Sequence, residues 1–148
     1  MNGPAYDARG RDAPCATLTL RMASRALSQI YDEAMRPARI KSTQFSLLRM
    51  IQRHGPLTFQ GLAVKMVLDQ TTLPRSLRTI EKDGFIRIEA GADRRERFVS
   101  LTQRGAAVLE KAEPHWQRAQ TMVRRKFRGE RLDKLLADLD QLRLALAK

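Results

Sequence analysis

The side chains of this chain that could do chemistry are chiefly arginines, gathered in two short stretches. In "TTLPRSLRTIEK" (71–82), Leu73, Leu77 and Ile80 recur at intervals of three and four. At about 100° per residue they occupy one side of a helix. Thr71, Thr72, Arg75, Arg78, Thr79 and Lys82 fall on the other side. A DNA major groove admits one helix, and arginine and threonine are among the residues that read its base edges. The plainer alternative is a solvated helix face. The second stretch, "DRRERF" (93–98), lies between two alternating apolar runs. A guanidinium at a hairpin tip can enter a narrow minor groove, where the potential is most negative. Asp93 stands two residues before Arg95 and is expected to orient it, leaving Arg94 and Arg97 for phosphates. A polar turn with clustered charges is the alternative there.

Little other chemistry can be assembled. Two histidines, His54 and His115, and one cysteine, Cys15, are too few for a zinc site of the usual Cys/His type, so neither metal nor cofactor is expected. No nucleophile stands close to either histidine and no glycine-rich phosphate loop is present, so the chain is not expected to be an enzyme. A lone cysteine excludes an intrachain disulfide and fits a reducing interior. No apolar run reaches transmembrane length, and the N-terminus lacks the apolar core of a signal peptide. The expectation is a cytoplasmic protein with no membrane partner. A formal net charge of +12 points instead to a polyanion.

The elements that must position these arginines follow from the apolar spacing. The 148 residues, 43% of them hydrophobic, suffice for one domain with a proper core. Residues 1–14 mix Gly, Pro and charge without period and are expected to be disordered; residues 15–148 form the domain. A helix is predicted over about 17–36, ended by Pro37, and a second from Ser42 to the "HGP" at 54–56. Thr58 is expected to cap a short third helix, although Gly61 stands where a reciprocal capping box wants Glu or Gln. The arginine-bearing helix follows, capped by Asp69 or Thr71 and stopped at "DG" (83–84). "FIRIE" (85–89) and "RFVSL" (97–101) alternate as a hairpin. Thr102 caps a long helix with Pro114 inside it, expected to bend there. A last helix then carries Leu132, Leu135, Leu136, Leu139 and Leu142. That leucine stripe packs either on the chain's own core or on a partner subunit. The fold class is therefore mainly α with a small β-hairpin: a winged helix-turn-helix over about 42–101, flanked by helices at 17–36 and 102–147.

"STQFSLLRMI" (42–51), "LTFQGLAVKMVLDQTTLPRSLRTIEKDGFI" (57–86) and "DRRERFVSLTQRG" (93–105) resemble the MarR family of bacterial transcriptional regulators. The resemblance covers roughly residues 17–147. It implies a homodimer joined by the first and last helices, placing two winged helices on a palindromic operator with half-sites roughly 34–36 Å apart. It also implies repression of nearby genes, relieved by a small ligand or an oxidant. A nonspecific or architectural nucleic-acid binder is the competing function, for which charge alone would suffice. Two residues depart from the family: Gly61 in place of a frequent glutamate, and Pro74 where a hydrogen-bonding side chain is more usual.

The same resemblance supplies effector candidates. Cys15 stands before the first long helix, near the place of the reactive cysteine in the hydroperoxide-sensing branch, where Tyr31 could match a flanking tyrosine. An apolar acid or phenol bound between the outer helices and the winged domain is the other possibility. Tyr31, Phe45, Met50, His115 and Trp116 are the residues available to line that site, each with a core role as the alternative.

Overall fold

The computed structural model describes residues 15–67, 72–93 and 95–146. The expected disorder of 1–14, the capping alternatives Asp69 and Thr71, and Arg94 lie outside the described residues.

The first helix, α1 (Ala16–Met35), buries only its C-terminal end. Met35 is fully enclosed, whereas Leu18, Leu20, Met22 and Leu27 are exposed. Pro37 falls in a 3-10 turn (Arg36–Ala38), after which Arg39 takes a left-handed conformation with φ 56°. This turn reverses the chain into α2 (Ser42–His54). Asp32 of α1 reaches across it, and its Oδ1 accepts the Ser42 amide at 2.6 Å. A free N–H of the first turn of α2 is thus satisfied by a side chain ten residues upstream. From α2, Phe45, Leu47, Leu48 and Ile51 enter the core.

A two-residue strand, β1 (Leu57–Thr58), leads into α3 (Phe59–Met66). Thr58 caps α3 as expected, its Oγ1 accepting the Gly61 amide at 3.0 Å. Helix α4 (Thr72–Lys82) buries Leu73, Leu77 and Ile80. The hairpin β2 (Ile86–Ala90) and β3 (Arg97–Leu101) is antiparallel, with Ile88 opposite Val99. Strand β1 pairs on the other edge of β3, Leu57 opposite Val99, so the sheet has three strands in the order β1-β3-β2. Apolar alternation predicts only the two-stranded hairpin, because a strand of two residues is too short to carry a period.

Helix α5 (Gln103–Phe127) starts at the Thr102 cap and runs through Pro114. The start of α5 is tied to the end of α4 by a compact knot. Gly84 turns the chain with φ +75°, a conformation that favours glycine. Its carbonyl accepts from Thr102 Oγ1 at 2.7 Å, and the Phe85 carbonyl accepts from the Thr102 amide at 3.1 Å. Thr102 Oγ1 in turn accepts the Gly105 amide at 3.0 Å.

Phe45 of α2 stacks on Trp116 of α5, centroids 5.9 Å apart. The Arg49 guanidinium lies 4.3 Å from the centre of the Trp116 ring and 3.3 Å from Glu113. These contacts seat the winged portion against α5. Helix α6 (Gly129–Leu146) folds back on α5 through a two-pronged pair, Arg124 to Asp133 at 2.5 and 2.9 Å. Hydrogen bonding to that guanidinium holds the Asp133 carboxyl below its ordinary pKa. Of the five leucines of the stripe, Leu132 turns inward and is only 6% exposed, so it belongs to the chain's own packing. Leu135, Leu136 and Leu142 are exposed, and Leu139 is half-buried. Among the described residues no helix is long and apolar enough to cross a membrane.

Candidate nucleic-acid interface

With Leu73, Leu77 and Ile80 sealed against the core, the outward side of α4 is set by helical geometry. Arg75, Arg78 and Lys82 all stand exposed on it. None of the three carries an ion pair among the described residues. Three cations on one helix face, none of them neutralised by a described neighbour, make a surface suited to a polyanion.

Thr72 and Thr79 are exposed too, but they sit on the flank of α4 that turns toward α1 and α2, beside Ser76. Ser76 Oγ donates to the Thr72 carbonyl at 3.2 Å and Thr79 Oγ1 to the Arg75 carbonyl at 3.4 Å. Both hydroxyl protons are thereby directed onto the helix itself. The opposite flank carries Pro74, which faces the wing. A helical wheel drawn with one buried stripe and one outer face merges these flanks with the outer face. Their separation depends on the neighbouring elements and could not be read from spacing alone.

The wing tip is a tight turn. The Glu96 amide donates to the Asp93 carbonyl, and the Gly91 amide to the Glu96 carbonyl, each at 2.9 Å. Asp93 Oδ1 accepts the main-chain amide of Arg95 at 2.9 Å. The expected link between Asp93 and Arg95 is therefore made to the backbone: a side chain two residues upstream reaches that amide in a tight turn more readily than the guanidinium. The effect on the tip is still to fix it, with the Arg95 and Arg97 side chains exposed beside it.

A cleft of about 1110 Å³ opens on the other side of α4. Leu20, Leu27 and Tyr31 of α1 form one wall, and Leu135, Leu136 and Leu139 of α6 another. The floor is made by Ser42, Gln44 and Leu47 of α2, and Thr72, Ser76 and Thr79 of α4 close one end. Of the effector candidates, Tyr31 and Trp116 line it. Phe45 is 1% exposed within the core, and Met50 and His115 lie outside the lining. The Tyr31 hydroxyl donates to Gln120 at 2.6 Å, and burial raises its pKa. Cys15 is exposed at the start of α1. Tyr31 follows it along the same helix by roughly 24 Å at 1.5 Å per residue, so the two cannot meet within one protomer.

A family model described as the MarR family matches residues 40–96, from the end of the 3-10 turn to the wing tip. An uncharacterised HTH-type transcriptional regulator of Bacillus cereus is 30% identical over 112 residues, 76% of this chain and 75% of the relative. The homoprotocatechuate degradative operon repressor of Escherichia coli is 22% identical over 126 residues, 84% of this chain and 85% of the repressor. Among solved structures, the transcriptional regulator MosR of M. tuberculosis in complex with DNA superposes with a TM-score of 0.80 at 38% identity. The match covers 91% of this chain and all of that one. With the winged helix-turn-helix, the cationic outer face of α4 and these relatives together, the chain belongs to the MarR family of DNA-binding transcriptional regulators.

Proposed function

We propose that the protein is a homodimeric, sequence-specific repressor that binds a palindromic operator and is released by a small apolar or phenolic ligand. The observation that carries the DNA-reading part is the outer face of α4, where Arg75, Arg78 and Lys82 are exposed together and flanked by a pinned wing. The DNA complex of the 38% identical MosR supports the partner. The relative named as an operon repressor supports the direction of regulation. In this reading Arg75 and Arg78 reach base edges, with Thr72 and Thr79 at the margin of the contact. Lys82 and Arg97 meet phosphates, as does Arg94, and Arg95 enters the minor groove. The winged portion (about 42–101) reads DNA and the helices at 17–36 and 102–147 join the protomers. The protein would act in the cytoplasm, on double-stranded DNA.

Release by a ligand is supported by the reach of the cleft. Its walls include Leu20, Leu27, Leu135 and Leu136, side chains that a second protomer would cover, so the ligand would sit beneath the protomer interface; the cleft ends on Thr72, Ser76 and Thr79 of the reading helix itself. A molecule seated against Tyr31 and Trp116 would thus bias the position of α4. Oxidation at Cys15 would have to act without the Tyr31 of its own protomer, which lies roughly 24 Å along the same helix.

The deciding measurement is the affinity for the protein's own upstream region against random duplex at physiological salt. A ratio well above one is expected, and a ratio near one would leave only a nonspecific binder. Arg75→Ala or Arg78→Ala is expected to cost about 1–3 kcal/mol of binding and to relax the preference at one position of each half-site. Uniform weakening over all sequences would turn that arginine into a phosphate contact.

A further inference from the structure

Pro74 is a residue of the reading helix to which this scheme gives no task. It is third in α4, where the N–H it lacks would have no intrahelical acceptor. The ring is half-buried and turned toward the wing. It lines a groove of about 340 Å³ together with Phe59 and Ala63 of α3 and with Arg95 and Arg97 of the wing. The groove thus joins an apolar surface to two guanidinium groups. Glu96 also borders it, which disfavours a free anion as its occupant.

The apolar group that a base pair presents in the major groove is the 5-methyl of thymine. That methyl projects beside the backbone of its own strand, at the wall of the groove rather than over its floor. With Arg75 and Arg78 turned to the floor, the flank of α4 that carries Pro74 faces such a wall. Arg97 then lies where the phosphates of that strand pass toward the wing, with Arg95 next to it at the tip. A proline side chain has no donor and no acceptor, so it discriminates among bases by apolar contact alone.

Resting on the sequence-specific reading above, we propose that Pro74 is a specificity-determining residue, selecting thymine at one position of each half-site through its 5-methyl group. The test begins with full-length protein and selection of bound duplexes from a random library. Each thymine of the selected site is then replaced by uracil, which removes the methyl and nothing else. Affinities are measured for the wild type and for Pro74→Ser and Pro74→Ala. In the wild type, uracil at one position of a single half-site is expected to weaken binding about fourfold, the partition of one methyl group, and about sixteenfold when both half-sites carry it. In both variants the same replacement should have no effect while the rest of the site is still recognised. Wild-type affinity that is indifferent to every uracil overturns the proposal, as does a methyl effect that persists unchanged in both variants. A library that yields no enriched sequence removes the sequence-specific reading itself, and that failure is visible before any uracil is introduced.

Discussion

Gly105→Ala should destabilise the fold by about 3 kcal/mol, at the upper end of what one overpacked site usually costs. A Cβ at this position would sit 2.0 Å from the Phe85 carbonyl oxygen and 2.9 Å from its carbon, with Leu101 Cδ1 at 2.8 Å. The first two are backbone atoms, which cannot swing aside as a flexible side chain can. Alanine favours a helix over glycine by about 1 kcal/mol, which offsets part of the cost without removing the clash. The carbonyl in question also accepts the Thr102 amide, so moving it strains the knot that joins the end of α4 to the start of α5. A fall in Tm of roughly 10 °C is expected from calorimetry. Gly61→Ala provides the contrast: there the added carbon would meet two side-chain atoms, Thr58 Oγ1 at 3.1 Å and Leu57 Cδ2 at 4.0 Å, and no backbone. It should move Tm by no more than a few degrees. Equal, small shifts for the two variants would mean that the approach of α5 to Phe85 does not constrain the fold.

What the sequence made legible is what local spacing encodes. The apolar periods locate the long helices, and Thr58 and Thr102 announce their capping roles because each bond spans three residues. The hairpin could be read from alternation in "FIRIE" and "RFVSL", and Val99 duly falls on the buried side. Contacts between distant residues were not legible. Asp32 capping α2 across a turn, and Arg49 seated on Trp116, depend on how helices are juxtaposed. The same reason removed Leu132 from the exposed stripe: it lies close enough to the α5–α6 turn to be enclosed there. At the candidate site, composition identified the cationic face of α4. It could not assign the two flanks, because one borders the cleft and the other the wing.

The second large effect is expected from the apolar surface that the single chain leaves uncovered. Leu18, Leu20, Met22 and Leu27 of α1 are exposed, as are Leu135, Leu136, Leu142, Leu144 and Leu146 of α6. Nine large apolar side chains on two terminal helices are far more than scattered surface residues would supply, and such patches mark association sites. A second copy of the chain would cover them, in keeping with the homodimer proposed above. The variant Leu136→Glu/Leu142→Glu places two charges on that surface without touching the enclosed core, since the two leucines are 52% and 41% exposed. Helical content should therefore persist in circular dichroism while sedimentation shows monomers at micromolar concentration. Operator affinity should fall about 100-fold or more. Two linked half-site contacts gain that much from effective concentration, and separate protomers lose it. Affinity for an isolated half-site should change little, which separates loss of the dimer from damage to the reading helix. A variant that sediments as a dimer would place the protomer interface elsewhere. A monomer that binds the full operator as tightly as the wild type would show that the two half-sites are not bridged by one protein.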